Sequence, residues 1–179
     1  MSIMKAKTKP SAQTDLEIRR AKLDDMPVVA EFIRSSSDWY EKFVDEKDMA
    51  EHDVDETWMT KNYFRREFYI GSNGEEDVGT ISMQNLNGFA YLGYIYLDVK
   101  HVGKGYGHRL MEFAKHEAKR KGMKGLVLIA HPEASWAVKA YLKFGFKVVA
   151  KAKKEVLNWN NGSLKPYYEE GFHLYKLAL

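Results

Sequence analysis

The chain has 179 residues, enough for one domain able to bury roughly 70% of the surface it exposes when unfolded. It holds no cysteine, which excludes a thiol nucleophile, a thiolate metal site and a disulfide scaffold. Its net charge of +3 is too small to argue for nucleic acid, and no apolar run approaches the ~20 residues of a membrane span.

Met1 to Thr14 carries Lys5, Lys7 and Lys9 but no long apolar core, so it reads as a mobile leader rather than a secretory signal. A single domain is expected over 15–179, in the cytoplasm. Leu16 to Ala21 alternates as a first strand. Asp24 has the character of a helix N-cap, with Pro27 in the first turn, where its missing N–H costs little. Val29, Phe32 and Ile33 give that helix one apolar face. Between 38 and 65, Trp39, Phe43, Trp58, Met59, Tyr63 and Phe64 suggest one or two further amphipathic helices. Residues 45–56 interrupt them with seven acids against one lysine, a local charge of −6 that leaves +9 for the remainder. Such a stretch is either a solvated helix surface or one pole of a chain that holds opposite charges at its two ends.

Strands follow. Phe68 to Ile70 leads into the turn Ser72-Asn73-Gly74, Val78 to Gln84 into the turn 85–88, and Phe89 to Leu97 is the longest. From Gly103 the pattern becomes helix and strand in alternation. A helix over 106–121 stops at Gly122, Gly125 to Ala130 is an apolar run suited to a strand buried on both faces, and a helix over 133–144 stops at Gly145. Strands over 146–150 and 172–177 complete a mixed α/β sheet.

Gly103-Lys104-Gly105-Tyr106-Gly107 lies between the strand ending at Leu97 and the helix starting near Tyr106. Closely spaced glycines there let main-chain N–H groups converge on one point, and the helix N-terminus adds about half a positive charge. That is a phosphate cradle. A dinucleotide loop would follow the first strand of a βαβ unit, with an acid about 20 residues on, and a nucleoside-triphosphate loop would run Gly-Lys-Ser/Thr. Neither pattern is met.

The order of elements and the register Val102-Gly103-Lys104-Gly105-Tyr106-Gly107 resemble the GNAT superfamily of acyl-CoA-dependent N-acyltransferases, whose loop runs Arg/Gln-x-x-Gly-x-Gly/Ala. A second family feature, a tyrosine in a helix that ends in Gly-Phe, matches Tyr141 and Gly145-Phe146. The resemblance covers roughly 15–150. It departs at Val102, where the family has Arg or Gln, and at Ala134, where it has Asn. It implies a central mixed sheet of about seven strands with helices on both faces, and an acetyl group moved from acetyl-CoA to an amine. It implies that Leu97, Asp98, Val99, Val102, Gly103, Lys104, Gly105, Tyr106, Gly107 and His108 meet the cofactor. Lys100, His101, Lys104, His108 and Arg109 surround the loop with basic side chains.

Acyl transfer from a thioester to an amine needs a proton taken from the amine, an oxyanion stabilised and a thiolate protonated. With no cysteine, direct attack in a ternary complex is the simplest route. The resemblance gives Tyr141 the role of proton donor, and a phenol with a pKa of about 10 keeps its proton at neutral pH. The oxyanion donor is expected among main-chain N–H groups around Leu97 to Val99, with a strand distortion there. No carboxylate stands at Tyr91 to Tyr96, which leaves His131, Asp98 or a water chain as the base. His52, His108, His116 and His173 show no metal-ligand spacing, and no metal is expected. In the family, the segment after the first strand and a late loop line the acceptor site. Here these are the acidic stretch 45–56 and the insertion 155–171, with Trp159, Tyr167, Tyr168, Glu169 and Glu170. Aromatic rings beside carboxylates suit a positively charged amine, small or peptidic. Neither membrane nor nucleic acid is expected as a partner; a second copy of the chain, as a homodimer, is. The alternative from another class is a non-catalytic module that senses acyl-CoA.

Overall fold

A computed structural model describes residues 15–40 and 53–179; the expected leader, Phe43 and the acids at 45–52 lie outside them. Seven strands run β1 Glu17–Arg20, β2 Glu67–Ser72, β3 Asp77–Leu86, β4 Phe89–Leu97, β5 Gly125–Ala130, β6 Lys147–Ala150 and β7 His173–Ala178. They form one sheet in the order β1-β2-β3-β4-β5-β7-β6. Every pairing is antiparallel except β4 with β5.

The two-residue period of the strands sorts side chains onto two buried faces. Leu126 and Leu128 of β5 join Tyr69, Ile81, Met83 and Leu92 in one core. Covering it are Leu110, Met111, Ala114 and Ala118 of α3 Tyr106–Arg120, with Val138 and Tyr141 of α4 Ser135–Phe144 packed beside them. On the opposite face Phe68, Ile70 and Tyr96 meet Val29, Phe32 and Ile33 of α1 Met26–Tyr40 and Trp58 of α2 Glu56–Arg65. Val127 meets Val156 of α5 Lys153–Asn158 on that same side. Helices thus cover both faces of a seven-stranded mixed sheet, and each buried aliphatic side chain contributes about 1.5–3 kcal/mol.

Several local expectations need correction. A 3-10 turn over Leu23–Asp25 precedes α1, so Asp24 sits inside the turn. Asp25 does the fastening: its carboxylate accepts from the Lys22 N–H at 2.7 Å and from the Arg19 guanidinium at 2.8 and 3.1 Å. Phe64 is 75% exposed rather than part of an apolar face. The segment read as an insertion begins inside α5 and includes a 3-10 turn, Trp159–Gly162.

The hydrogen bonds from Arg19, and after them the one from Lys22, hold the Asp25 carboxyl below its ordinary range. A lowered folded-state pKa means that this contribution is complete above the unfolded value near 3.8 and disappears as pH falls through the folded one. Asp25→Asn is expected to cost about 1 kcal/mol at pH 7. Urea melts at pH 7 and at successive values below 3.8 should show the gap between wild type and variant narrowing as pH falls; a gap that does not narrow would remove the charge from the explanation.

Candidate active site

The β4–β5 ladder is short. Phe89, Ala90 and Tyr91 pair with Gly125, Leu126 and Val127, and the pairing ends there. Beyond Tyr91, β4 stays paired with β3 on its other edge as far as Leu97. A bulge interrupts that pairing: Thr80 faces Tyr96, Ser82 faces Gly93, and Tyr94 takes a φ of +47°. The expected distortion therefore lies at Tyr94 and Ile95, two to three residues before Leu97. A positive φ at a non-glycine residue is strained, and the strain here borders the gap between the two strands.

Two clefts open on this gap. One, of about 800 Å³, is lined by β4 from Ile95 to Leu97, the start of α3 and one face of α4. The other, of about 570 Å³, lies among α2, the middle of β4 and the loop from Pro166 to Phe172. Ile95, Tyr96 and Tyr141 line both. Tyr141 stands at their junction on α4, half-buried, its ring edge-on to Phe146 at 6.1 Å and tilted against Tyr175 at 6.1 Å.

The glycine loop shapes the larger cleft. Gly103 and Gly105 take φ of +83° and +85°, a region that residues with a Cβ seldom enter. Gly105 is the N-cap of α3, so the first N–H groups of that helix, those with no intrahelical acceptor, stand at the cleft mouth. Exposed apolar side chains gather on the same wall: Val99, Val102 and Trp136. His108 and Arg109 add basic groups, and Arg109 Nε is buried without a hydrogen-bond partner although its Nη1 reaches Glu112 at 2.8 Å. An anion cradle at one end of an apolar groove fits a diphosphate joined to an acyl-bearing arm.

Of the residues expected there, Leu97, Val99, Val102, Gly103, Gly105, Gly107 and His108 line this cleft. Asp98, Lys104 and Tyr106 do not. Asp98 fastens the strand end, its N–H donating to the Val78 carbonyl at 2.9 Å and its carboxylate accepting from the Lys100 N–H at 3.2 Å. That engagement removes the Asp98 N–H from the expected oxyanion donors. Lys104 is exposed, and Tyr106 is buried beneath the loop, edge-on to His101. Ala134 is the N-cap of α4 and supplies no side-chain hydrogen bond.

His131 lines neither cleft. Its Nδ1 accepts from the Glu133 N–H at 3.2 Å, and its ring lies edge-on to Phe172. The carboxylates of the smaller cleft are Asp53, Asp55 and Glu169. Asp55 caps α2, accepting from the Trp58 N–H at 2.8 Å. Tyr167 and Tyr168 line the cleft as well, but Trp159 turns away onto Phe89, and Glu170 pairs with Lys153. Burial pushes the Tyr91 phenol up, so that side chain stays neutral among the charged groups of the cleft. No group of three or more metal-ligating side chains occurs among the described residues, and none of their helices is long and apolar enough to cross a membrane.

The sequence did not single out Arg66, which lines the smaller cleft while only 7% exposed. No local pattern could have found it, because its burial depends on rings from β4 and from the loop 163–172.

Comparison with known proteins agrees with this geometry. The chain resembles in fold the PaiA N-acetyltransferase of Thermoplasma acidophilum, solved with coenzyme A (TM-score 0.70, 19% identity, 92% of this chain and 99% of that one). It also resembles an acetyltransferase from Streptococcus agalactiae (TM-score 0.69, 19% identity, 92% and 98%). A third likeness is to a GNAT family acetyltransferase from Elizabethkingia anophelis, solved with acetyl-CoA bound (TM-score 0.64, 16% identity, 93% and 100%). No curated protein matches the chain. The family model for GNAT acetyltransferases, however, spans residues 30–146, from α1 through the glycine loop to Gly145-Phe146. With the parted strands, the glycine cradle and the tyrosine all inside or beside that match, the chain belongs to the GNAT acetyltransferase family and is an acyl-CoA-dependent N-acyltransferase.

Proposed function

We propose that this protein moves an acetyl group from acetyl-CoA to an amine by direct attack, with both substrates bound at once. The observation that carries this reading is the meeting of two separate clefts at Tyr141. A donor in the larger cleft and an acceptor in the smaller one would approach each other through the gap between β4 and β5. In the larger cleft, the N-terminal turn of α3 and the loop from Gly103 to Gly107 would hold the diphosphate. Val99, Val102 and Trp136 would flank the apolar parts of the cofactor, and the edge of β4 beside the bulge would offer main-chain groups to its arm.

The amine nitrogen attacks the thioester carbonyl carbon, forming the C–N bond. The C–S bond then breaks, Tyr141 gives its phenolic proton to the departing sulfur, and the phenolate regains a proton from the nitrogen of the new amide, directly or through water. The proton shed by the ammonium before attack leaves through water toward the carboxylates of the smaller cleft, where Glu169 shares a wall with Tyr167 and Tyr168. Those carboxylates and rings are also what would draw a protonated amine into the cleft before it reacts.

A panel of primary amines incubated with acetyl-CoA, read by thiol release, tests the assignment. Acetyl-CoA binding with no thiol released by any amine would instead establish the sensing module.

A further inference from the structure

Arg66 stands immediately after α2, its backbone N–H donating to the Asn62 carbonyl at 3.0 Å. The guanidinium lies over the rings of Tyr94, at 4.8 Å, and Tyr167, at 5.3 Å. Its Nε is buried with no hydrogen-bond partner, and no carboxylate among the described residues forms an ion pair with it. A desolvated cation is costly unless it is paired, and ring faces satisfy its charge but none of its N–H donors. The site is nevertheless built to hold it. A Cβ on Gly93 would lie 2.8 Å from Arg66 Nη1, so the glycine keeps this space open. The bulge that gives Tyr94 its positive φ sets that ring against the guanidinium.

We infer that Arg66, the buried one of three cations in the lining with Lys61 and Arg65, is an anion-binding residue of the acceptor cleft, and that the acceptor is an amine carrying a carboxylate. A guanidinium stacked on rings leaves its donors in one plane, which matches a carboxylate bidentately. The carboxylates of the same cleft, Asp53, Asp55 and Glu169, meet the ammonium of the substrate, and Arg66 meets its anion. A zwitterion satisfies both walls, whereas a polyamine leaves Arg66 buried with another cation. This inference rests on the acyltransferase reading above.

The test compares matched pairs of amines with acetyl-CoA: lysine with cadaverine, phenylalanine with phenethylamine, and a dipeptide with its C-terminal amide. In each effective pair, kcat/KM is expected to be about tenfold to a hundredfold higher for the carboxylate-bearing member, mostly through KM, since the anion contact is made before and during reaction. Arg66→Gln should shrink that ratio to about threefold or less; Arg66→Lys, which keeps charge but loses the fork, should fall between. The free amino acids and the dipeptide separate the two sources of the carboxylate. Equal rates within every pair, or a ratio that Arg66→Gln leaves intact, would overturn the assignment, as would preference for phosphoethanolamine over all carboxylates. Calorimetric titration of the same pairs into CoA-saturated protein reads the subsite without turnover: selective binding of the carboxylate members with no thiol release would sink the catalytic reading and keep only the anion-binding role of Arg66. If Arg66→Gln melts early, Gly93→Ala supplies the second variant, because it displaces Nη1 and should weaken the same members of each pair.

Discussion

Tyr141→Phe is expected to lower kcat by about 10²- to 10⁴-fold, the range that a positioned proton donor contributes. The dissociation constant for CoA should change by no more than about twofold, because under the proposed reading the glycine loop and the start of α3, which line the larger cleft, would hold the diphosphate. The variant isolates the hydroxyl. The ring keeps its place between Phe146 and Tyr175, so thermal stability should stay close to wild type. Loss of rate with retained binding is the signature of an interaction made only as the reaction proceeds. A variant that turns over within about threefold of wild type would take the phenol out of the chemistry and leave water to protonate the thiolate. A poorer leaving group should sharpen the contrast: replacing the thioester of acetyl-CoA by its oxygen ester makes the departing atom more dependent on a proton, and the ratio of wild-type to variant rate should rise.

Much of the frame was legible because its signals are local. The apolar, aromatic run from Phe89 to Leu97 and the apolar run from Gly125 to Ala130 became β4 and β5 with the expected limits, each bounded by glycine or a turn. The glycine loop was legible for the same reason, since glycines that need a positive φ announce themselves between a strand and a helix. Asn160-Asn161-Gly162 was a local signal that went unread. Asn tolerates the left-handed region, and the φ of +47° and +59° at the two asparagines makes the kink after α5. Asp25 rather than Asp24 holds the turn before α1 because Arg19, on the preceding strand, reaches it. The parting of β4 from β5 had no local mark at all. Pairing is a property of two segments, and nothing in Leu92 to Leu97 states that its partner has left. Arg66 is the extreme case: a residue type that sequence places on the surface is buried because two distant segments, β4 and the loop 163–172, supply two rings and one missing side chain.

Gly105→Val should reduce CoA affinity at least about tenfold, since an L-residue in the left-handed region costs about 1–2 kcal/mol and a branched Cβ more. At the N-cap of α3 the backbone has φ +85° and ψ +4°. Valine there would push the chain toward negative φ, and the turn that aims the first N–H groups of α3 at the larger cleft would rotate with it. The helix itself need not unravel, because Leu110, Met111, Ala114 and Ala118 still anchor it in the core. The loss is therefore expected in ligand binding more than in melting temperature, and titration of CoA with a parallel thermal melt separates the two. Gly105→Asn is the control. Asparagine enters the left-handed region at small cost, so it should bind CoA within about threefold of wild type. If valine and asparagine weaken binding alike, the side chain obstructs the ligand and backbone conformation is not the cause. If neither weakens it, the diphosphate does not lie on this loop, and the contacts ascribed to the start of α3 belong elsewhere on the cleft wall.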